Sequence, residues 1–229
     1  MKKFTYLVLT LLLLTGSIAI AQTGVRFGLK AGYSLATQYG ITPADEIFSV
    51  ETSNRNGIVG GIMIYYPITE SVGIQQELLY AMKGSGQDVS FTEDGVLVNT
   101  VSEYKLNYFD MPMLVRYNFV NIKNVSIYGH TGIALSLLIN GEYDIVSTVE
   151  VPGIDPIVIN KSGDMKGLDI FDYSFLYGFG FDFDLFGKSF FLESRMTIGW
   201  NTLAMPNAED ADPVPLRNQD YIFTMGMYF

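Results

Sequence analysis

The sequence has no cysteine, one histidine and one tryptophan. Without cysteine there is no disulfide framework, thiol nucleophile, iron–sulfur cluster or thiolate zinc site, and one imidazole cannot form a histidine metal cluster. Charge is scarce, at 17% of residues, and positive charge scarcer still: 14 bases stand against 24 acids, for a formal net charge of −10. Nucleic acid is excluded as a ligand, because phosphate binding needs a Lys/Arg surface. Past residue 21 no run of 18 apolar residues occurs, so no membrane-spanning helix is expected there. The length, 229 residues, permits one large domain or two small ones. Glycine (23), tyrosine (15) and phenylalanine (16) are abundant, and the mean hydropathy is +0.24. That composition points to β structure and toward a membrane.

The first 21 residues read as a cleaved secretory signal peptide. Lys2 and Lys3 start it, Leu7 to Leu14 is apolar, and Ala19-Ile20-Ala21 supplies the cleavage site before Gln22. The apolar run is shorter than the ~20 residues a spanning helix needs. No cysteine follows, so no lipoprotein anchor is expected. The domain division is therefore 1–21, signal peptide, and 22–229, one barrel domain carrying 24 acids against 12 bases.

The mature chain alternates with period two. A strand with hydrocarbon on one face and a packed interior on the other must do so. From Val25 to Leu35, Val25, Phe27, Leu29, Ala31, Tyr33 and Leu35 share one parity, opposite Arg26, Gly28, Lys30, Gly32 and Ser34. Similar segments run over 57–67, 71–83, about 104–118, 125–137, 171–184, 190–201 and 220–229. The sixth is the clearest, with Phe171, Tyr173, Phe175, Tyr177, Phe179, Phe181 and Phe183 opposite Asp172, Ser174, Gly178, Gly180, Asp182 and Asp184. Gly178 and Gly180 are strand glycines and no phosphate loop, because no helix N-terminus follows. Pro112 interrupts the fourth segment, and a nearby β-bulge would tolerate its missing donor.

Long polar connections are expected at about 37–55, 84–103, 140–169 and 203–217, and short ones near 67–71, 119–124 and 185–189. Eight strands joined by alternating long and short connections give an all-β fold, an eight-stranded antiparallel up-and-down transmembrane β-barrel, with both termini periplasmic. A closed sheet is the only β solution in lipid. The alternative is a soluble lipocalin-like barrel, which would point its apolar parity inward. Against it, the polar parity here is mostly Gly, Ser, Ala, Asn and Thr with few charges, which suits a crowded interior.

The interior parity carries Arg26, Lys30, Glu77, Lys83, Asp110, Arg116, Asp172, Asp182, Asp184, Glu193 and Arg195. Buried charges must be paired and hydrogen-bonded, so these residues are expected to form a salt-bridge lattice plugging the lumen. An ion or solute path is the competing reading. His130 could join Ser126 or Ser136 and a carboxylate in a triad, as in a lipid A-modifying barrel enzyme. It faces the packed lumen by parity, however, and no G-x-S-x-G elbow exists. No catalytic residue, cofactor or resident metal is expected.

The four long connections hold 16 acids against Arg55, Lys161, Lys166 and Arg217. They read as a solvated rim, able at most to recruit divalent cations bridging to lipopolysaccharide, or to bind a protein partner. Val149-Glu150-Val151 and Ile157-Val158-Ile159, turned by Pro152-Gly153, are expected to extend a hairpin above the membrane.

Five stretches resemble the small outer-membrane β-barrel proteins abundant in Bacteroidetes, the porin-family or PorT-like barrels. They are Phe27-Gly28-Leu29-Lys30-Ala31-Gly32-Tyr33; Ile74-Gln75-Gln76-Glu77-Leu78-Leu79-Tyr80 with Lys83-Gly84; Leu106-Asn107-Tyr108-Phe109-Asp110-Met111-Pro112 with Arg116-Tyr117; Phe191-Leu192-Glu193-Ser194-Arg195; and the terminal Tyr228-Phe229. The last is similar to the C-terminal aromatic signature read by the barrel-assembly machinery. The resemblance implies fold and location, a barrel in the outer membrane of a Gram-negative bacterium; a monomer in contact with outer-membrane lipid and lipopolysaccharide is expected. One branch of that family takes part in type IX secretion and gliding.

Overall fold

The computed structural model describes residues 24–39, 49–93, 95–165, 167–201, 203–204 and 215–229. The segment read as a signal peptide lies outside these residues. Ten strands occur among them: β1 Arg26–Tyr39, β2 Ser49–Pro67, β3 Val72–Glu93, β4 Val96–Ile122, β5 Val125–Glu150, β6 Ile157–Asp164, β7 Phe171–Leu185, β8 Lys188–Gly199, β9 Leu203–Ala204 and β10 Pro215–Tyr228. All pairings are antiparallel, in the order β1-β2-β3-β4-β5-β7-β8-β10, and β10 returns to β1 along Gly28↔Tyr228 to Tyr39↔Arg217. Eight strands thus close a ring. The short β6 and β9 lie off it, on β5 and β10.

The alternation sorts the two faces as the sequence requires. Phe175, Phe179 and Met225 are 42%, 63% and 62% exposed on the outside, while Asp182 and Arg195 are buried inside. A soluble barrel would reverse this arrangement. Aliphatic and aromatic side chains from every ring strand, among them Leu29, Ile62, Leu78, Met113, Ile133, Leu192 and Phe223, stand exposed together on the outer wall. Left in water, that area would far exceed the few hundred Å² of contiguous apolar patch usual on soluble monomers.

Short turns gather at the end that carries Phe27 and Phe229, joined by a hydrogen bond from Phe229 N to Phe27 O at 2.9 Å. We call this end proximal. Lys123-Asn124 joins β4 to β5 and Phe186-Gly187 joins β7 to β8, with Lys123, Phe186 and Gly187 at positive φ. The opposite, distal end departs from expectation. The stretch 84–103 is a hairpin and no loop: β3 and β4 pair from Ser85↔Tyr104 out to Glu93↔Val96. β5 likewise runs on to Glu150 and turns through Pro152-Gly153 into β6, pairing Val149↔Ile157 and Glu142↔Asp164. The hairpin anticipated there is present. Strands β2 to β6 therefore continue past the ring as an open sheet, five strands wide. With water on both faces no polarity contrast is imposed, so the period-two signal that marks the ring is lost although the β-branched residues remain. Residues 40–48 and 205–214, with Asp45, Glu46, Glu209, Asp210 and Asp212, lie outside the described residues.

Pro112 is accommodated differently from the expected bulge. The β3–β4 ladder skips Glu77-Leu78 opposite Met111-Pro112 without changing register, and the nearest register shift, Asn107/Tyr108, lies on the β5 side. The proline's missing donor falls where the ladder makes no bridge.

Inward glycines let the narrow ring hold large side chains. A Cβ on Gly226 would lie 2.2 Å from the Phe191 ring and 2.3 Å from the carbonyl oxygen of Leu29, and Phe191 in turn packs on Tyr228, centroids 5.0 Å apart. Gly226→Val is expected to destabilise the barrel by about 1–3 kcal/mol through overpacking. Heat-modifiable gel mobility and a urea titration in detergent read the change. Phe175→Leu, on the outer wall, should leave both close to the parent.

Candidate functional site

Inward side chains stack in three layers along the lumen. The middle layer is charge-balanced. Lys30 Nζ donates to Glu77 Oε1 at 2.9 Å and to Glu193 Oε1 at 2.8 Å. Arg195 donates to Glu77 Oε2 at 2.9 Å, to Glu77 Oε1 at 2.8 Å and to Glu193 Oε1 at 2.6 Å. β8 supplies Glu193 and Arg195 two residues apart and so on one face, while β1 and β3 bring Lys30 and Glu77 across. Gln75 Nε2 donates to Glu77 Oε1 at 2.5 Å. All four charged side chains are essentially sealed from solvent. Two cations and two carboxylates in mutual contact are the arrangement that removes charge from water without leaving any of it unpaired.

The proximal layer centres on Arg116. Its guanidinium lies 3.4 Å from the centroid of Tyr128 and 4.8 Å from that of Tyr65. It pairs with Asp182 through Nη2 and donates through Nη1 to the Tyr228 hydroxyl at 2.9 Å. Nε donates to Asn118 Oδ1 at 3.1 Å. Arg26, at the mouth, reaches Asp182 at 3.5 Å and covers the rings of Tyr65 and Tyr228. The planar cation between aromatic faces exploits what a guanidinium can do and an ammonium cannot.

The distal layer holds three buried carboxylates, Asp110, Asp172 and Asp220, around one cation. Lys83 Nζ is 3.1 Å from Asp110 Oδ2 and 3.9 Å from Asp220 Oδ2, and donates to Ser136 Oγ at 3.1 Å. Asn218 Nδ2 donates to Asp172 Oδ2 at 2.8 Å. Gln38 Nε2 donates to Asn218 Oδ1, and Ser85 Oγ to Gln38 Oε1. Among the described residues no group of three or more His, Asp or Glu is arranged to hold a metal ion. Beyond this layer, in the distal sheet, Lys105 donates to Asp144 Oδ2 at 2.5 Å. That hydrogen bond, helped by nearby Glu103, raises its ammonium above the ordinary lysine value.

Of the eleven interior charges expected from parity, nine are buried in these layers and Arg26 is partly buried at the mouth. Asp184 departs from the expectation. It is exposed on the closing turn of β7, accepting from Ser189 Oγ at 2.5 Å, because the strand runs past the packed lumen before turning. Parity also finds residues outside that set. Asp220 shares its face with Asn218 and Thr224, all three buried, and Tyr65, Tyr108, Tyr128 and Tyr228 fill the interior as aromatic walls. Tyr228, one half of the C-terminal pair, points into the lumen, while Phe229 is exposed.

His130 does not meet a nucleophile. Among the described residues neither ring nitrogen has a hydrogen-bond partner, and Nδ1 lies 3.9 Å from Glu193 Oε2. Ser126 Oγ donates to Asn121 Oδ1, and Ser136 Oγ accepts from Lys83. Polar cavities open at both ends. One of roughly 250 Å³ lies beside Arg26, Glu70 and Arg116, and one of roughly 310 Å³ lies between Asn54, Arg55, Asp88 and Glu103.

The family described as "Outer membrane protein beta-barrel domain" matches the chain over residues 20–204. Similar solved structures include three outer-membrane barrels. Ail of Yersinia pestis is 12% identical, with 90% of this chain and 100% of that one covered at a TM-score of 0.39. OprG of Pseudomonas aeruginosa is 9% identical, with 89% and 95% covered at 0.44. Neisserial surface protein A is 11% identical, with 90% and 100% covered at 0.42. No curated protein matches the chain.

The middle layer makes a specific prediction. Glu77→Gln leaves Lys30 and Arg195 sharing one carboxylate and is expected to cost about 3–5 kcal/mol, the usual penalty for an orphaned buried charge. The double change Lys30→Met with Glu77→Gln restores one cation to one anion and should cost less than the single change. Urea titration of the folded barrel measures both.

Proposed function

The chain belongs to the outer membrane protein β-barrel family, whose place is the outer membrane of Gram-negative bacteria, and from that premise we propose that it is a structural or interaction barrel plugged by its own charged side chains. The observation that carries this reading is the middle layer. Lys30, Glu77, Glu193 and Arg195 are paired across the lumen with no exposed edge. An eight-stranded ring is just wide enough for its interior to be filled by side chains, and an ion crossing that layer would have to displace partners held by several hydrogen bonds each.

Orientation, export and assembly complete the proposed reading. The proximal end, with its short turns and both termini, is periplasmic, and the distal sheet faces outward, as in other bacterial barrels with short periplasmic turns. The leader at 1–21 directs export. Tyr228-Phe229 serves recognition by the assembly machinery, and the PorT-like resemblance supports grouping the protein with the Bacteroidetes barrels. It acts as a monomer amid lipid and lipopolysaccharide, without catalysis.

Planar-bilayer recording of the purified barrel tests the plug. No stepwise conductance is expected, and Arg116→Met should lower stability without opening a selective pore. A steady, ion-selective conductance through the folded parent would replace this reading with a narrow passive channel joining the two end cavities. Cleavage of the distal hairpin by protease added to intact cells, with the proximal turns spared, tests the orientation separately.

A further inference from the structure

The distal sheet ends in an unusual strand. β6 pairs with β5 along one side only, and among the described residues no strand pairs with its other side. An edge of this kind presents a row of free N–H and C=O groups, and proteins ordinarily blunt it with charges, proline, bulges or very short length. β6 is eight residues long, pairs with β5 without a register shift, and contains no proline and one lysine, Lys161. Its first three residues, Ile157, Val158 and Ile159, are 53%, 57% and 56% exposed, and Ile154 in the preceding turn is 62% exposed. Because neighbours in a strand point to opposite faces, apolar surface stands on both sides of the edge. Hydrocarbon does not account for it, since β6 lies beyond the closed ring on the sheet that continues distally. β-branched residues at an open edge, apolar on both faces, form the surface that strand addition uses. The backbone supplies the hydrogen bonds, and alternate side chains supply the selectivity.

Charge identifies what can bind. The hairpin from 142 to 164 carries Glu142, Asp144, Glu150, Asp155 and Asp164 against Lys161 alone. Asp144 is already committed to Lys105. Pairing β6 with the β6 of a second copy would bring two such hairpins, each with five acids against one base, side by side, and their net negative charges repel. A strand with alternating apolar and basic residues meets both requirements, since its apolar side chains cover Ile157 and Ile159 while its Lys or Arg side chains face the carboxylates.

We propose that β6 is a docking edge for an extended, cationic, β-branched segment of a partner protein, added antiparallel to Ile157–Asp164. The inference deepens the interaction role proposed above and rests on it for the partner's location. Binding to the purified barrel does not depend on orientation or conductance, so the two readings fail separately.

The test uses the full-length barrel in nanodiscs and a fluorescent ten-residue peptide alternating Val or Ile with Lys. Three companion peptides accompany it: one with Glu in place of Lys, one with the Lys residues kept and the apolar residues replaced by Ser, and one N-methylated on alternate backbone nitrogens. Anisotropy is expected to show saturable binding of the first peptide that weakens as salt rises. The companions should bind at least about tenfold more weakly, and so should the first peptide to Ile159→Lys or Val158→Pro barrels. Unboiled gel mobility confirms that both variants fold, and Ile159→Lys leaves the backbone unaltered should the proline disturb it. Equal binding of the N-methylated peptide would reduce the effect to plain charge attraction and overturn the proposal. So would unchanged binding to Ile159→Lys, as would a parent barrel that is dimeric by mass photometry and becomes monomeric in that variant, which would assign the edge to a second copy.

Discussion

Hydrocarbon offers no hydrogen bond to a peptide group, so every N–H and C=O within it must find a partner in the chain itself. For this sequence the requirement is met where β10 returns to β1. Twelve residue pairs, from Gly28↔Tyr228 to Tyr39↔Arg217, join the last strand to the first and remove both edges of the sheet. Without that seam, the Phe and Leu faces of the other strands would be anchored in lipid beside two rows of unsatisfied backbone.

Closure with eight strands determines what the interior can be. A ring of this size leaves space for side chains and little else, and the inward parity fills it with Tyr, Arg and Lys fitted over glycines such as Gly226 and Gly180, whose missing Cβ atoms are where Phe191 and Tyr128 lie. Charges enclosed there must answer one another. In the middle layer they do so one for one. Proximally two arginines share Asp182 and spread their excess over tyrosine faces. Distally Lys83 pairs with Asp110 and Asp220, while Asp172 accepts from Asn218. Basic side chains are thus in excess over acidic ones in the proximal layer, and acidic side chains over basic ones in the distal layer.

Beyond the ring the constraint lapses. Water can satisfy a backbone edge, so β2 to β6 rise as an open sheet without closing, and among the described residues nothing pairs with the outer side of β6. The strand pairing that the membrane forces to completion inside the ring is left incomplete outside it. An incomplete, apolar, acid-flanked edge is where another chain can add itself.

The sequence alone determined which residues face lipid and which face inward, because an environment that is apolar on one side and crowded on the other writes a period of two into the chain. Phe171 to Phe183 and the burial of Lys30, Glu77 and Arg116 were legible for that reason. It also indicated the 149–159 hairpin, through β-branched runs around Pro152-Gly153. Pattern could not show how far β3 and β4 continue, since a strand with water on both faces has no obligatory alternation. Nor could it show how Pro112 escapes the ladder, or that Asp184 leaves the lumen at a turn. Which acid meets which base was settled only by the tertiary structure. Parity places a charge inside, but the pairing of Arg116 with Asp182 and of Lys30 with Glu77 and Glu193 depends on strand register and on which walls of the closed ring face each other, and those are properties of the whole sheet.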